Sequence, residues 1–448
     1  MAEQMKPSGI NWIGNIPNDW MVSKIKYNVS VPVTDGPHET PIFVDEGVPF
    51  YSVDGIQKDR IVYEPCRYIS SEDADRYDIK AKPMLGDILM GKAASVGKIA
   101  IIDRNIRLQV WSPLAIIRSD EEKIHNRYLK YYLLSDSAQI EIDLKSTTNT
   151  QKNVAMEDIE NINITTAPIM EQRLIADFLD KRCAEIDSII ADIEKQIETL
   201  QKYKKSLITE AVTKGLDYSV TMKNSGVTWI GEIPAEWKIS RVKYLIDDKH
   251  PYPIGDGDHG MIKADDYLDE GIPYIRVLNL TWGDGMNLDN LVFISEKMNA
   301  MIKNSELRPN DILIAKTGAT IGKTAIVPES LPISNTTSHV GKITLPNTHC
   351  AKYFFYVMTS DIVQKQIQDI SAMQSTRPEL GIEGMRDLAV VVPPLTTQEH
   401  IAEYLDEHCA KMDEILRVKK EQLEIMKKHK ASIIYEYVTG KKRVKEAL

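Results

Sequence analysis

The stretch IDSIIADIEKQIETLQKYKKSLITEA, residues 186–211, decides the fold of this 448-residue chain. Its apolar residues recur at alternating intervals of four and three, the heptad spacing of a helix with one apolar seam. At one position of this seam, Lys204 stands in place of an apolar residue. The seam residues are Ile186, Ile190, Ile193, Ile197, Leu200, Lys204, Leu207 and Ala211. A helix of this kind cannot bury its seam alone, so the sequence predicts a second helix packed against it.

A second copy of the seam lies 226 residues further along the chain. It also contains lysines, and Lys430 occupies the position that corresponds to Lys204. The residues of this copy are Met412, Leu416, Lys419, Leu423, Met426, Lys430, Ile433 and Tyr437. Each copy is followed by a glycine, Gly215 or Gly440, as expected where a helix ends. The two helices can therefore bury their seams against each other, and the shared lysine position can help to fix their register.

The rest of the chain is duplicated as well. Residues 6–27 read KPSGINWIGNIPNDWMVSKIKY and residues 223–244 read KNSGVTWIGEIPAEWKISRVKY, at a constant offset of 217. We call these two stretches the WIG segments. Further matches follow in the same order in both halves, so the chain is interpreted as a tandem duplication, roughly 6–222 and 223–448.

Within each half, the part before the long helix reads as short strands and turns. Apolar, β-rich runs are bounded by glycine, proline, aspartate and serine, as strands usually are. These runs are 99–102, 114–117, 325–327 and 390–392. A short helix is predicted at about 127–140 with a counterpart starting near Ala351, and Thr396 to Glu399 predicts a capping box for the second long helix. Each half is expected to be a mixed α+β globule followed by a long helix.

Composition limits the class of protein. A hydrophobic content of 43% and a charged content of 27% are ordinary for soluble globular proteins. The chain has no run of eighteen apolar residues and its first residues lack an apolar signal core, so no membrane association or secretion is expected. Its four cysteines form no CxxC pair, which favours a reducing cytoplasm, and Cys183 and Cys409 are interpreted as small core residues. A net charge of −10 does not by itself indicate nucleic-acid binding.

The sequence contains no recognisable catalytic motif. The loop TGATIGKT at 317–324 looks like a phosphate-binding P-loop, but three residues separate its glycines where that motif has four. The matching loop GKAASVGK at 91–98 has five residues between its glycines, and it lacks the hydroxyl residue that would hold magnesium. No HExxH, clustered Cys/His set, GxGxxG, GxSxG or convincing PD-(D/E)xK nuclease constellation occurs. The chain is therefore predicted to be non-catalytic and to hold no metal or cofactor.

Three polar loops in each half are candidates for contact with DNA. They are the Asp-Gly-x-His turn, the glycine–lysine loop, and the polar stretch before the long helix. Such side chains can bond phosphates or base edges, but they are equally ordinary in solvated loops. In the first half the candidates are Asp35, Gly36, His38, Lys92, Ser95, Lys98, Thr148, Asn149, Gln151 and Lys152. In the second half they are Asp256, Gly257, His259, Lys316, Thr317, Thr320, Lys323, Ser375, Thr376 and Arg377.

Taken together, these motifs resemble the specificity subunit of type I restriction–modification enzymes. The resemblance rests on the WIGxIPxxW repeat, the GDIL stretch with its glycine loop, the QxxIAxxLD start of each long helix and the tandem layout, and it covers nearly the whole chain. It implies an α+β fold in which two pseudo-symmetric α/β target recognition domains are joined by two long antiparallel helices forming a coiled-coil spacer. The implied recognition domains are 1–166 and 216–393, and the implied helical regions are 167–215 and 394–448.

The resemblance also implies a function and partners. Each recognition domain would read one half of an asymmetric, bipartite target in double-stranded DNA. The helices would dock two methyltransferase subunits and the restriction subunits. S-adenosylmethionine, ATP and magnesium would be bound by those partners and not by this chain. The two glycine–lysine loops differ at their centres, 93–95 and 317–319, so they are expected to contact DNA differently.

The spacer is interpreted as a molecular ruler. A helix of about 28 residues would be about 42 Å long, comparable with the ~34–36 Å of one turn of B-DNA. Two alternatives stay open at this point. One is a coiled-coil scaffold that does not read DNA, and the other is a nuclease or NTPase whose motifs are not recognisable.

Overall fold

The structure is a computed structural model, and it describes residues 4–148, 151–257, 259–283, 285–372 and 378–444. The chain divides into two compact units. Unit 1 contains Met1–Glu194 and Glu421–Leu448, and unit 2 is Lys195–Lys420. Both long helices cross the boundary between the units, so each unit contains one globule and a segment of each helix.

The helices are short in the globules and long in the spacer. They are α1 (Ser71–Asp78), α2 (Asn126–Leu134), α3 (Asp136–Lys145), α4 (Met156–Glu160), α5 (Ile169–Lys214), α6 (Glu296–Met301), α7 (Ala351–Thr359), α8 (Asp361–Ala372), α9 (Ile382–Asp387) and α10 (Leu395–Val438). Short 3-10 turns connect several strands.

The strands of the first half precede α5. They are β1 (Met5–Pro7), β2 (Asn15–Pro17), β3 (Met21–Lys24), β4 (Thr34–Asp35), β5 (Phe43–Val44), β6 (Val48–Tyr51), β7 (Ile56–Gln57), β8 (Arg60–Ile61), β9 (Arg67–Ile69), β10 (Ile88–Gly91), β11 (Ile99–Ile101), β12 (Gln109–Val110), β13 (Leu114–Ile117), β14 (Thr147–Thr148), β15 (Lys152–Asn153) and β16 (Asn163–Thr166). Two four-stranded sheets form, in the orders β11-β10-β13-β4 and β12-β6-β9-β5.

The strands of the second half follow the same plan. They are β17 (Met222–Asn224), β18 (Glu232–Pro234), β19 (Lys238–Arg241), β20 (Ile254–Asp256), β21 (Ile272–Ile275), β22 (Val292–Ile294), β23 (Ile312–Ala315), β24 (Thr324–Ile326), β25 (Asn335–Thr336), β26 (Val340–Ile343) and β27 (Ala389–Val392). The sheets β20-β26-β23-β24 and β22-β21-β25 match those of the first half. In both halves an antiparallel pair, β3 with β16 or β19 with β27, leads into the long helix. The predicted duplication and α+β fold are confirmed.

Helices α5 and α10 are 46 and 44 residues long, which corrects the predicted 28 residues. The extra turns precede the seam, where Ile175 and Leu179 of α5 are buried in the core of the globule. Every predicted seam residue is buried or half-buried, and most residues between them are exposed. The heptad prediction is therefore confirmed, although each helix begins well before its seam does.

The two helices pack antiparallel in each unit. In unit 1 the ring of Phe178 lies 4.4 Å from that of Tyr437, while Asp187, further along α5, pairs with Lys430, which comes earlier on α10. In unit 2 the Nζ atom of Lys204 lies 2.5 Å from Asp413. Later residues of α5, Ile208 and Val212, share a core there with earlier residues of α10, Ile401 and Leu405.

Two local predictions were wrong. The helix predicted at 127–140 is two helices, because the backbone of Ser135 is extended (ψ 152°) and its hydroxyl donates to the carbonyl of Tyr132. The capping box is absent because the carbonyl of Pro394 already accepts from the N–H groups of residues 397 and 398. Helix α10 therefore begins before Thr396, and both residues of the supposed box lie inside it.

The WIG segments close the core of each globule over the end of a long helix. Trp20 is fully buried in unit 1, and the Tyr128 hydroxyl donates to the carbonyl of Val438 at 3.0 Å. In unit 2 Tyr353 donates in the same way to Val212 at 3.2 Å. Glycines with positive φ end both helices, Gly215 (80°) and Gly440 (69°), as predicted. Conservation of these segments between the halves thus has a packing explanation.

Candidate nucleic-acid interface

The fold brings the three polar loops of the first half together. The glycine–lysine loop connects the antiparallel strands β10 and β11, so it is a strand–turn–strand loop as expected. The carbonyl of Lys92 accepts from the N–H of Val154 at 2.8 Å, and Ala93 bridges to Asn153 of the β14–β15 hairpin. On the other side, the Lys92 ammonium lies 3.2 Å from Asp35 of the Asp-Gly-x-His turn.

The second half brings its Asp-Gly-x-His turn and its glycine–lysine loop together in the same way. Lys316 forms a buried ion pair with Asp256 of the second Asp-Gly-x-His turn. The carbonyl of Lys316 accepts from the N–H of Leu380 at 2.8 Å, and Thr317 bridges to Glu379. The glycine–lysine loop is thus held against the segment that precedes α9. Sequence spacing gave no sign of these contacts, since the three loops are far apart along the chain.

The Asp-Gly-x-His turns are anchored by buried electrostatics and close packing. Asp35 is buried and also pairs with Lys80 at 2.5 Å. A Cβ atom on Gly36 would lie 1.7 Å from the carbonyl oxygen of Val110, so only glycine fits. Gly257 has the same constraint from the carbonyl oxygen of Thr336, at 2.0 Å. Each turn is therefore held rigidly against a neighbouring strand.

The histidines of these turns face solvent. The Nε2 atom of His38 is 3.2 Å from Asp35, and that of His259 is 3.1 Å from Asp256, yet the two side chains are 69% and 68% exposed. A buried carboxylate thus fixes one ring nitrogen of each imidazole while the rest of the ring remains available to a ligand. The two halves present the same group in the same way.

The other candidate residues differ in whether their side chains are available to a ligand. Lys92 and Lys316 are committed to the buried aspartates, Lys98 donates to the carbonyl of Ile56 at 3.1 Å, and Lys152 pairs with Asp143. The remaining side chains are exposed or half-buried and retain polar atoms for a ligand. They are Ser95, Gln151, Thr317, Thr320 and Lys323. The backbone of Thr148 lies in β14, whereas Asn149, Ser375, Thr376 and Arg377 fall outside the described residues.

Sequence reasoning missed several residues that support the clusters. Lys80 joins Asp35, and the ring of His339 lies 3.0 Å from the hydroxyl of Thr317. The aspartates of the GDIL and NDIL stretches are buried supports. Asp87 forms two hydrogen bonds with Arg118 at 2.7 Å, and burial raises the pKa of Asp311, whose carboxylate accepts from Thr344 at 2.6 Å. None of these partners stands in a recognisable motif.

The polar cavity of unit 1 offers no ready cation site. It measures about 300 Å³ and lies between the β7–β8 hairpin, α2 and the long helices. Its carboxylates are already engaged, since Asp59 and Asp187 pair with Lys430, and Asp180 pairs with Arg127. Across the described ranges no group of three or more His, Cys, Asp and Glu side chains could hold a metal. No described helix is both long and apolar enough to cross a membrane.

Comparison with known proteins identifies the family. The family model described as the type I restriction modification DNA specificity domain matches residues 30–199 and again residues 257–425. The MjaVIII type I restriction enzyme specificity subunit of Methanocaldococcus jannaschii is 25% identical over 362 residues, which cover 80% of this chain and 79% of that protein. The putative MjaX specificity subunit of the same organism is 26% identical over 440 residues, covering 97% of this chain and 96% of the relative.

A bacterial relative is similar in sequence, and a solved structure is similar in fold. The EcoBI specificity subunit of Escherichia coli is 25% identical over 303 residues, covering 67% of this chain and 62% of that protein. A chain from a structural study of the assembly and conformational transition of the type I R-M system has the same fold. Its TM-score is 0.68 at 15% identity, with 94% of this chain and 98% of that chain covered. The duplicated sheets, the two long helices and the two matches to the family model together place this chain in the family of type I restriction–modification specificity subunits, which give these systems their DNA sequence specificity.

Proposed function

We propose that this chain reads a bipartite, asymmetric DNA target through its two loop clusters and acts within a type I restriction–modification complex in the cytoplasm. The observation that carries the proposal is that one cluster architecture occurs twice with different exposed side chains. The anchors are alike, because a buried aspartate paired with a lysine and a glycine in close contact hold each turn. The exposed side-chain groups that could bind a ligand differ between the two clusters.

Each cluster has chemistry suited to DNA. Hydroxyl, amide and imidazole groups can bond base edges, and a lysine can neutralise a phosphate. In the first half the free groups are His38, Ser95 and Gln151, and in the second half they include His259, Thr320 and Lys323. Because the two sets differ, the two halves would read different bases. That difference would make the complete target asymmetric.

The remaining steps of the reaction would belong to partners. We propose that the helical regions dock two methyltransferase subunits and that the restriction subunits join this assembly. S-adenosylmethionine, ATP and magnesium would be bound by those subunits. Lys92 and Lys316 support this division, since their ion pairs with the buried aspartates hold the turns in place and engage the charges that a nucleotide would need.

The proposal is tested by mapping methylated sites in a genome that carries this chain with its methyltransferase subunit. The variant His38→Ala/Ser95→Ala/Gln151→Ala should change the bases read in one half of the target only. The variant Thr317→Ala/Thr320→Ala/Lys323→Ala should change those in the other half only. If both variants methylate the wild-type sites, the loop clusters do not read the bases. If the wild-type complex assembles but methylates without sequence preference, the chain is a scaffold.

A further inference from the structure

The polar cavity of unit 1 is lined by charged side chains of both signs. Five of them are basic and four are acidic, around a volume of about 300 Å³. Because the charges nearly balance, what the cavity can bind depends on which of these side chains already have partners. The basic residues are Lys58, Arg60, Arg127, Lys130 and Lys430, and the acidic residues are Asp59, Asp103, Asp180 and Asp187.

The carboxylates of the cavity all have partners. Three of them form ion pairs with Lys430 or Arg127. The fourth, Asp103, accepts a hydrogen bond from the hydroxyl of Tyr63 at 2.7 Å. A ligand that needs acceptor groups, such as a metal ion, therefore finds them already engaged.

Two of the basic side chains have no such partner. Within the described part of the chain neither Arg60 nor Lys130 forms an ion pair or a hydrogen bond, and the ammonium group of Lys130 lies only against the ring of Tyr131, 5.1 Å from its centre. Arg60 is exposed and Lys130 is half-buried. Burial lowers the pKa of Lys130, and Asp180 and Asp59 offset this only in part. The like charge of Arg60 lowers it further.

The second half has an apolar residue in place of Lys130. Helices α2 and α7 correspond residue by residue, since Tyr128 and Tyr353 both donate to a carbonyl near the end of a long helix. Lys130 then corresponds to Phe355, which is 6% exposed. A partly buried charge without a counterion costs free energy that a phenylalanine avoids. Packing of this helix therefore does not require the lysine, and its charge indicates a ligand in unit 1.

The β7–β8 hairpin forms one wall of the cavity and is held there at a cost in backbone strain. Lys58 and Asp59 in its turn have positive φ, 48° and 61°, which glycine would adopt freely. Both side chains pair with the long helices, Lys58 with Glu194 at 2.8 Å and Asp59 with Lys430 at 3.2 Å. Glycine could not form these pairs. The strained turn thus fixes the next residue, Arg60, beside the cavity.

We infer that this cavity binds a phosphate group between Lys130 and Arg60. Two unpaired cations match a ligand with about two negative charges, which a phosphate group carries near neutral pH. The planar guanidinium group can donate two parallel hydrogen bonds to phosphate oxygens, while the ammonium group acts as a point charge. The phosphate is the free ion or the head of a small phosphomonoester, since about 300 Å³ also has room for a small organic group. This inference does not rest on the proposed function.

Contact with the backbone of duplex DNA is the less favourable explanation. The lining residues belong to the hairpin, to the end of β11 and the loop after it, to α2 and to the long helices, and none of them lies in the three polar loops. A duplex presents its phosphates on a convex surface. The half-buried ammonium group of Lys130 is poorly placed to reach them, whereas a small ligand can enter the cavity.

The test measures binding of inorganic phosphate to the full chain. Calorimetry and the urea-unfolding midpoint are recorded at rising phosphate concentration, with the ionic strength held constant by sodium chloride. Phosphate should bind at one site per chain and raise the midpoint. Lys130→Phe and Arg60→Gln should each weaken binding at least about tenfold, the loss expected for one hydrogen bond to a charged group. A titration with AMP distinguishes the sources, because tighter binding than phosphate identifies a phosphomonoester and equal or weaker binding identifies the free ion.

The controls separate the possible outcomes. Lys123→Gln removes an exposed lysine that pairs with Asp120 outside the cavity, and it should keep wild-type binding. Circular dichroism should show that all variants fold. If phosphate raises the midpoint no more than chloride does, or if Lys130→Phe and Arg60→Gln bind it with wild-type affinity, the inference is overturned. It is also overturned if the wild type binds no phosphate and both variants lose affinity for duplex DNA of any sequence.

Discussion

Ala94 shows at the scale of one residue how the two glycine–lysine loops share a backbone despite different sequences. Its φ of 63° lies in the left-handed region, and Gly318 at the corresponding place has a φ of 69°. An alanine pays about 1–2 kcal/mol for this conformation, whereas glycine adopts it freely. The loop of the first half therefore keeps the shape of the second at some cost in stability.

We predict that Ala94→Gly raises the free energy of unfolding by about 0.5–1 kcal/mol, since relief of the left-handed strain exceeds the added chain entropy of glycine. The measurement is the shift of the urea-unfolding transition. Ala93→Gly is the matched control, because Ala93 bridges to Asn153 with a negative φ. That control should lower the stability by a similar amount. Equal losses in both variants would contradict the explanation from backbone strain.

The lysines of the seams matter at the scale of the helix. Lys204 and Lys430 occupy the same heptad position, and each reaches an aspartate of the opposite helix, Asp413 or Asp187. These aspartates also correspond to each other in the repeat. A slip of one helix along the other would break both of these ion pairs, so the two pairs favour the observed register. The sequence predicted the lysines but not their partners.

Lys430→Met should destabilise the chain by about 1–2 kcal/mol, because it leaves Asp59 and Asp187 facing each other in a partly buried site. Urea unfolding of the full chain measures this loss. The loss should shrink at pH values low enough to protonate the carboxylates. Lys427→Met removes a lysine from an exposed pair with Glu424 and should change stability by no more than about 0.5 kcal/mol. An equal effect of both substitutions would show that the seam pair has no special role.

The same ion pair sets a pH dependence with a definite sign. Burial opposes the charge of Lys430, but the hydrogen bond to Asp187 and the charge of Asp59 outweigh it, so the pKa of Lys430 is raised above 10.5. Its stabilising contribution is therefore complete below pH 10.5 and is lost as the pH rises through the higher pKa of the folded state. The Met variant should show less of this alkaline loss than the wild type.

The ruler proposal belongs to the scale of the whole molecule. Removing residues 193–199 from α5 and the corresponding 419–425 from α10 deletes one heptad from each seam and keeps the spacing of the remaining positions. Seven residues span about 10.5 Å of helix, and a base pair spans about 3.4 Å. The gap between the two parts of the target should shorten by about three base pairs while the bases that are read stay the same. Methylation mapping measures both quantities, and a change in the bases read would refute the ruler.

Deleting the heptad from α5 alone is the control for this experiment. The two seams would then differ in length, and their lysines could no longer all meet their aspartates. We expect this variant to unfold at a lower urea concentration than the double deletion. A single deletion as stable as the double one would indicate that the seams do not determine the pairing.

The sequence by itself determined the duplication, the seams and the class of protein. These features depend on local periodicity and on repetition, which a chain carries along its length whatever its partners in space. The buried Cys183 and Cys409, the glycines after the helices and the strands of the β-rich runs followed for the same reason. The start of α10 could not be predicted in this way. The N–H groups of Thr397 and Gln398 donate to the carbonyl of Pro394, so the helix begins before the supposed capping box.

Only the tertiary structure decided which polar residues support the clusters and which are free. Lys92 looked like a phosphate ligand, yet sheet β11-β10-β13-β4 places it beside Asp35, 57 positions earlier in the sequence, and commits its charge to the fold. Lys80 joins the same aspartate without any motif. Such pairings depend on strand order and on the desolvation of the groups involved, and neither is written in the spacing of residues along the chain.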